Sequence, residues 1–305
     1  MLSYEHIYHA GNHADILKHI VLTLILEHLK KKPTPFSFID THAGSGVYAL
    51  NDERALKTNE SEGGIRRFFS ALEAGVPPDV RAQFLSDAFP FASFTALEKI
   101  YLAHSRYAGS PEIARCLLRA CDTVTLCELH PQAFSALKTA LRSSPLFGNV
   151  ELETQCAVHL HKRNGFELLS SLKPPARGVV LVDPSYEELS DFTDVATALC
   201  ALYKRWRSGV FALWYPLTTS KGFACSKMRE ALISCVQTTE REPKILDVQL
   251  TVCEQEALSG KASLYGSGMM IINAPYKLDS ELEVLLPALE RLLGKKSGKS
   301  ALEHY

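Results

Sequence analysis

Residues 36–46 read Phe-Ser-Phe-Ile-Asp-Thr-His-Ala-Gly-Ser-Gly, a short apolar run that stops at an acid and continues into a glycine-bearing loop. An apolar run followed by such a loop predicts a β-strand that enters a tight turn facing a ligand. Upstream, apolar residues recur at three- and four-residue intervals from 12 to 29, which predicts an amphipathic helix capped by Asn12. The start of the chain is therefore a helix, a strand and a ligand-facing loop.

Strands and helices alternate along much of the remaining chain. Further strands are predicted at 123–128, 149–154, 178–183, 209–215, 245–252 and 267–272, and helices at 132–142, 166–172, 194–205 and 227–235. This alternation predicts an α/β fold with a largely parallel sheet. The last two strands, joined by 255–266, are expected to form an antiparallel edge.

Residues 51–107 do not fit this alternation, because they are helix-prone and rich in aromatic residues. We interpret them as a small helical subdomain inserted after the first strand and its loop. The expected organisation is an N-terminal helix, strand and glycine loop at 1–50, the insertion at 51–107, the remainder of the main domain at 108–290 and a C-terminal tail at 291–305. Residues 295–305 are expected to be loose.

The composition of the 305 residues, with 46% hydrophobic and 22% charged, is typical of a soluble globular protein. A net charge of −1 gives no whole-molecule attraction to polyanions, so any nucleic-acid contact has to rest on local patches. Eight cysteines without a Cys-x-x-Cys pair indicate reduced thiols and no zinc site. We expect a cytoplasmic monomer with no bound metal and no membrane partner, since neither a signal peptide nor a membrane-spanning run is apparent.

Gly44-x-Gly46-x-x-Ala49 satisfies the dinucleotide-binding pattern as well as the looser glycine loop of methyltransferases. A dinucleotide oxidoreductase needs an acid that ends a second strand about twenty residues later, and the polar sequence after residue 50 contains no strand. The acid that does end a strand is Glu128. Its carboxylate can accept both ribose hydroxyls of an adenosyl group, and the insertion explains its distance from the loop.

Asp183-Pro184-Ser185-Tyr186 follows the fully apolar run 178–182. Methyltransferases that act on planar amides or base amines carry an Asp/Asn-Pro-Pro-Tyr/Phe loop at this place. The lone pair of such a nitrogen is delocalised, so hydrogen-bond acceptors must bind its hydrogens and let it turn toward the methyl donor. We expect the Asp183 carboxylate and the Pro184 carbonyl to be those acceptors and Tyr186 to stack on the base. Ser185 departs from the second proline of the pattern.

Several longer motifs occur in order along the chain. They are Met1-Leu2-Ser3-Tyr4 through His9-Ala10-Gly11-Asn12-His13-Ala14-Asp15 to Leu17-Lys18-His19, then Asp40-Thr41-His42-Ala43-Gly44, Gly109-Ser110-Pro111, Glu128-Leu129-His130-Pro131 and Leu213-Trp214-Tyr215-Pro216. With these motifs the chain resembles, from residue 1 to about 276, the bacterial 23S ribosomal RNA adenine-N6 methyltransferase family of the RlmJ type. The resemblance implies a Rossmann-like class I S-adenosylmethionine-dependent methyltransferase with an inserted small helical subdomain, S-adenosylmethionine as cofactor and one adenine of 23S ribosomal RNA as target.

The resemblance also implies site residues. The implied cofactor-binding residues are His19, His42, Ser110, Glu128, Asn164 and Gly165, and the glycine loop adds Gly44. The implied catalytic residue is Asp183, to which the loop pattern adds Pro184 and Tyr186, and the set near the target base is Tyr4, His6 and Lys18. Asn164 stands where the family has Asp, so it keeps an acceptor but loses the charge. Ser110, followed by Pro111, is also expected to cap a helix.

Two other functions fit parts of the pattern. A methyltransferase of DNA adenine or of protein glutamine uses a similar proline loop, and the amino-terminal segment with Tyr4, His6 and Lys18 favours ribosomal RNA instead. A catalytically silent module that binds RNA or a nucleotide on the same fold is favoured by the two departures, Asn164 and Ser185. Cofactor affinity without turnover distinguishes the silent module.

Overall fold

The computed structural model describes residues 4–74, 76–86, 89, 91–142, 156–237, 243–254, 264–294 and 297–305. Within these ranges the strands are β1 (Ser37–Asp40), β2 (Val47–Ala49), β3 (Arg106–Ala108), β4 (Thr123–Cys127), β5 (Ala157–His161), β6 (Gly178–Val182), β7 (Val210–Thr218), β8 (Ile245–Thr251), β9 (Leu264–Ile272) and β10 (Lys299–His304).

The helices follow the same chain order, after a 3-10 turn at His6–Tyr8. They are α1 (His13–Lys30), α2 (Glu53–Thr58), α3 (Glu60–Gly63), α4 (Ile65–Ala74), α5 (Pro78–Leu85), α6 (Ala92–Ala103), α7 (Ser110–Leu117), α8 (Pro131–Ala140), α9 (Gly165–Ser171), α10 (Ser190–Arg205), α11 (Gly222–Gln237) and α12 (Leu278–Leu293). Each helix predicted from the sequence is confirmed, with ends shifted by a few residues, and α11 begins five residues earlier than predicted.

The main sheet has the strand order β10-β8-β9-β7-β6-β1-β4-β5. The five strands from β7 to β5 are parallel, and β9, β8 and β10 continue the sheet as an antiparallel edge, so both expectations about the sheet are confirmed. The chain leaves β1 for β4 on one side and later fills the other side with β6. Ligands of open α/β sheets bind at the carboxyl ends of the strands where the order reverses in this way.

Helix α1 packs against one face of the sheet and is almost entirely buried. The side chain of Asn12 accepts hydrogen bonds from the backbone N–H groups of Ala14 and Asp15, so the predicted cap is confirmed. The apolar side chains of α1 belong to the larger of two buried clusters. The second cluster lies on the other face, where α9, α10 and α11 cover β6 and β7. The sheet is therefore covered on both faces, as its apolar strands require.

The segment predicted as an insertion, 51–107, is helical and shares the larger cluster with α1 and α12. Phe68 lies at its centre, with ring centroids 5.4 Å from Phe84 and 6.1 Å from Phe94. The short antiparallel ribbon of β2 and β3 joins its two ends. These helices thus pack on the main domain rather than around a separate core.

The expectation of a loose C-terminal tail is wrong for Lys299–His304. These residues form β10, which pairs antiparallel with β8 at the edge of the sheet, and Leu302 packs against the larger cluster. Backbone hydrogen bonds to an open edge strand hold this segment. Because such bonds do not depend on side-chain type, a polar sequence that forms them is hard to recognise as a strand. The strand predicted at 149–154 lies outside the described residues.

Helices long and apolar enough to span a membrane do not occur among the described residues. The same ranges contain no group of three or more His, Cys, Asp and Glu side chains placed to hold a metal ion. The eight cysteines are free thiols.

Candidate active site

A cavity of about 1350 Å³ opens at the carboxyl ends of β1, β4 and β6. The structure brings every site residue that was predicted from the sequence to the wall of this one cavity. They are Tyr4, His6, Lys18, His19, His42, Gly44, Ser110, Glu128, Asn164, Gly165, Asp183, Pro184 and Tyr186. Because sites for one drug-sized ligand span about 300–1,000 Å³, this space can admit a cofactor together with part of a second molecule.

A line of hydrogen-bonded side chains crosses the cavity from the amino-terminal segment to the loop after β6. Lys18 Nζ lies 2.6 Å from Asp183 Oδ2 and 2.8 Å from Asp15 Oδ1. The other Asp15 oxygen lies 2.9 Å from His6 Nε2, and His6 Nδ1 lies 2.8 Å from the Tyr4 hydroxyl. Through Asp15 and Lys18, the first turns of α1 hold the carboxylate of a loop that lies 165 residues away in sequence.

Charges in this line stabilise one another strongly because they are buried. Burial alone would lower the pKa of Lys18, but the carboxylates of Asp15 and Asp183 outweigh it and raise that pKa well above its usual range. Burial likewise disfavours the charged form of Asp15, yet His6 and Lys18 hold the pKa of Asp15 well below its usual range. Lys18 is therefore a permanent cation, and the Lys18–Asp15 pair stays ionised at neutral pH.

The loop after β6 differs from expectation at Tyr186. Its ring is only 1% exposed and packs 4.4 Å from the Phe192 ring, and its hydroxyl donates to the Trp214 carbonyl at 2.9 Å. A ring held in this way offers no free face to a base, so the predicted stacking role of Tyr186 is wrong for this conformation. Tyr186 instead anchors the loop with a φ of +51°, and Lys221 Nζ donates to its backbone carbonyl.

The glycine loop and Glu128 form one unit. Gly44 N–H donates to Glu128 Oε2 at 2.8 Å, and His130 N–H donates to Oε1 at 2.7 Å, so a backbone N–H group orients each carboxylate oxygen. Each oxygen keeps a further lone pair for a ligand hydroxyl. Gly44 has a φ of +61°, and a Cβ there would lie 2.1 Å from the Tyr48 hydroxyl, which is why this position requires glycine.

A third part of the wall is formed by His42, Asn164, Gly165 and Phe166. The His42 and Phe166 rings lie 5.4 Å apart, edge to face, and burial lowers the pKa of His42 to about 4, so its ring is neutral at physiological pH. A Cβ on Gly165 would lie 2.4 Å from the Thr41 carbonyl, so the close approach of α9 to the glycine loop requires glycine. The Asn164 oxygen caps α9 by accepting from the backbone N–H groups of Phe166 and Glu167.

Ser110 lies at the start of α7 but does not cap it. Gly109 occupies the cap position, and the Ser110 hydroxyl donates instead to Asp40 Oδ2 at 2.6 Å. Asp40 Oδ1 accepts from the His42 N–H at 3.1 Å. The expected cap is therefore wrong, because the buried carboxylate at the end of β1 competes for the hydroxyl. Asp40 links two predicted cofactor residues from behind the cavity wall.

Burial raises the pKa of Asp40 to about 7 despite its hydrogen bonds from Ser110 and His42. A raised folded-state pKa contributes stability that is present below the ordinary carboxylate pKa and is lost as pH rises through about 7. We therefore expect wild type to lose stability relative to Asp40→Asn between about pH 4 and pH 7, by a few kcal/mol at most. Urea unfolding of both proteins at pH 5 and pH 8 measures this, and parallel pH profiles would contradict it.

His19 supports the cavity from α1. Its Nδ1 lies 2.6 Å from the Tyr107 hydroxyl, the two rings lie 5.5 Å apart, and burial lowers the pKa of His19 well below its usual range. Because the imidazole is neutral and only 1% exposed, it can contact a ligand in the cavity only with the edge of its ring, and it adds no charge. The structure thus places His19 in the cavity wall and joins it, through Tyr107, to the segment 51–107.

Among the residues that line the cavity but were not in the predicted site, three make contacts that position it. Asp15 is the partner of Lys18 and His6, Trp214 has its ring 6.0 Å from Lys18 Nζ, and Lys221 binds the loop after β6. Asp15 and Trp214 stand inside motifs that were quoted for the resemblance, so a signal existed for both. For Lys221 no local signal exists, because its role depends on the approach of two loops.

Residues 33–305 match the protein family described as Ribosomal RNA large subunit methyltransferase D, RlmJ. The chain is 35% identical over 297 residues to Ribosomal RNA large subunit methyltransferase J of Escherichia coli, covering 96% of this chain and 94% of that protein. It is 36% identical over 295 residues to the protein of the same name from Haemophilus influenzae, with the same coverage of both. A crystal structure of a Legionella pneumophila protein is similar at 27% identity with a TM-score of 0.75, covering 97% of this chain and 98% of that one. The chain therefore belongs to the RlmJ family of ribosomal RNA large subunit methyltransferases.

Proposed function

We propose that this chain transfers a methyl group from S-adenosylmethionine to the N6 atom of one adenine in 23S ribosomal RNA. The observation that carries the proposal is the Asp183 carboxylate, held by Lys18 at the end of β6 in the same cavity as the Gly44 loop and Glu128. Family membership and full-length similarity to two large-subunit rRNA methyltransferases support it. Ribosomal RNA as substrate also favours a cytoplasmic location.

The residues of the cavity wall fit an adenosyl ligand. Glu128 presents two backbone-oriented oxygens, which suit the two ribose hydroxyls, beside the glycine loop, whose Gly44 N–H donates to one of them. The neutral His42 ring and the half-buried Phe166 ring supply apolar surface for an adenine. Because its oxygen caps α9, Asn164 has its amide NH₂ group left as a donor to an adenine ring nitrogen, rather than the acceptor that the sequence suggested.

S-adenosylmethionine supplies an electrophilic methyl group when it is bound. Lys18 engages Oδ2 of Asp183, so Oδ1 is the oxygen that accepts a hydrogen bond from the adenine amino group. The Pro184 carbonyl accepts the second amino hydrogen. With both hydrogens bound, the nitrogen lone pair turns out of the ring and toward the methyl donor. Lys18 prevents the carboxylate from rotating away.

An aromatic surface beside Asp183 has to replace the buried Tyr186 ring. Trp214 is half-buried, lines the cavity and lies 6.0 Å from the ammonium group that binds Asp183. We assign it the role of packing on the target base, with Tyr4 on the amino-terminal side. Both positions come from motifs of the family resemblance, and stacking on a flipped base is the usual way to hold it for chemistry.

The test is methyl transfer from labelled S-adenosylmethionine to unmodified 23S ribosomal RNA, with nucleoside analysis of the product. We expect N6-methyladenosine at one site, and little transfer to duplex DNA or to protein. Cofactor binding without transfer to any of the three would contradict the proposal and favour a silent binding module. Transfer to DNA alone or to protein glutamine alone would support the proposed chemistry of the Asp183 loop and contradict 23S ribosomal RNA as the substrate.

A further inference from the structure

Phe223 is a large aromatic side chain that is 79% exposed at the start of α11. The ammonium group of Lys227, one turn further along the helix, lies 5.8 Å from the centroid of its ring and forms an exposed ion pair with Glu230 at 2.7 Å. A ring presented to solvent beside a cation is the arrangement on which an unpaired nucleic-acid base stacks while its phosphate contacts the cation.

The position of Phe223 links it to the site. It follows β7 by five residues and so lies at the carboxyl edge of the sheet, where Ser220 and Lys221 line the cavity. Lys221 Nζ donates to the carbonyls of Tyr186 and, at 3.0 Å, Glu187, which joins this turn directly to the Asp183 loop. Phe223 therefore lies two residues beyond Lys221, which lines the cavity and contacts the loop proposed to bind the target base.

We propose that Phe223 is a stacking platform for an unpaired RNA base that flanks the target adenine, with Lys227 beside its phosphate. The inference rests on the proposed function, because it assumes an RNA substrate whose target base enters the cavity next to Asp183. A base that flips into a cavity leaves its neighbours unstacked, and an exposed ring at the rim compensates for the lost stacking. The protein has a net charge of −1, so a local platform contributes affinity that overall charge does not supply.

The chain contains a matched control. Tyr276 is 81% exposed, and Lys277 Nζ lies 5.6 Å from its ring centroid, so its exposure is similar to that of Phe223 and it too has a lysine ammonium beside its ring. It follows the end of β9, which pairs with the start of β7, and so lies at the opposite edge of the sheet from the cavity. If exposure and a neighbouring cation were enough for RNA binding, substitutions at Phe223 and Tyr276 would have the same effect.

We expect Phe223→Ala to raise KM for the 23S ribosomal RNA transcript about tenfold, the effect of losing one stacked base, while kcat at saturating RNA stays near the wild-type value. Phe223→Trp should restore KM, and Phe223→Leu should not, because leucine is apolar but cannot stack. Tyr276→Ala should leave KM unchanged. Equal KM values for wild type, Phe223→Ala and Phe223→Leu, or equal losses at Phe223 and Tyr276, would overturn the proposal.

A binding measurement separates this inference from the proposed function. Wild type, which carries Trp206 and Trp214, gives the background change in fluorescence when a single-stranded, adenine-containing RNA oligonucleotide binds. Beyond that background, an indole introduced as Phe223→Trp should lose fluorescence, and one introduced as Tyr276→Trp should not. This quenching requires no methyl transfer. Methyl transfer by wild type without quenching at position 223 would contradict the stacking role of Phe223 and support the proposed function. Quenching without methyl transfer would support the stacking role and contradict the proposed function.

Discussion

Replacing Asp183 with Ala is expected to lower kcat for methyl transfer to 23S ribosomal RNA by about two to four orders of magnitude. The variant loses the acceptor that binds the amino hydrogens and turns the nitrogen toward the methyl donor. Lys18 keeps its contact with Asp15 at 2.8 Å, so the fold of the site should survive. Single-turnover transfer with saturating cofactor and RNA measures the effect on chemistry alone.

Two further variants make this result specific to Asp183. Glu128→Ala should show the opposite pattern, with cofactor affinity lost in calorimetry, whereas Asp183→Ala should bind the cofactor as wild type does. Asp183→Asn keeps one carbonyl oxygen and should retain more activity than Asp183→Ala. Wild-type single-turnover rates in Asp183→Ala would show that this carboxylate does not orient the amino group.

Replacing Lys18 with Met is expected to lower the free energy of unfolding by about 3 kcal/mol, because it removes a buried cation that lies between the buried Asp15 carboxylate and the partly buried Asp183 carboxylate. Asp15 has a pKa held well below its usual range, so its contribution to stability is present above the ordinary carboxylate pKa and is lost on acidification. Without Lys18 that contribution shrinks. The gap between wild type and variant should therefore be widest at neutral pH and narrow as pH falls below about 4.

Urea unfolding at pH 7 and at about pH 3 tests this expectation, with Lys30→Met as the control. Lys30 lies on the same helix and pairs with Glu27 at 3.0 Å, but both side chains are partly exposed, and such pairs contribute about 1 kcal/mol or less. Similar losses in the two variants would show that burial does not strengthen the Lys18 interactions. Lys18→Met should also reduce methyl transfer, since Asp183 is then free to rotate.

Much of the fold could be predicted from short stretches of the sequence. An apolar run such as 178–182 is typical of a strand that is covered on both faces, as in the interior of a parallel sheet, and the 3.6-residue period of α1 marks the face that packs on the sheet. The position of the site followed from the same reasoning, because Asp40, Glu128 and Asp183 each end or follow one of three adjacent parallel strands, whose carboxyl ends meet at one edge.

The motifs of the sequence by themselves determined the family, the reaction class and thirteen of the residues that line the cavity. Only the tertiary structure decided which partner each of these residues has. The Tyr186 hydroxyl donates to the Trp214 carbonyl, and the Ser110 hydroxyl donates to Asp40 rather than to its own helix. Lys18 lies between the carboxylates of Asp15 and Asp183. The physical reason is that a residue type limits what a side chain can donate, accept or bury, whereas its partner depends on which distant elements the fold packs beside it.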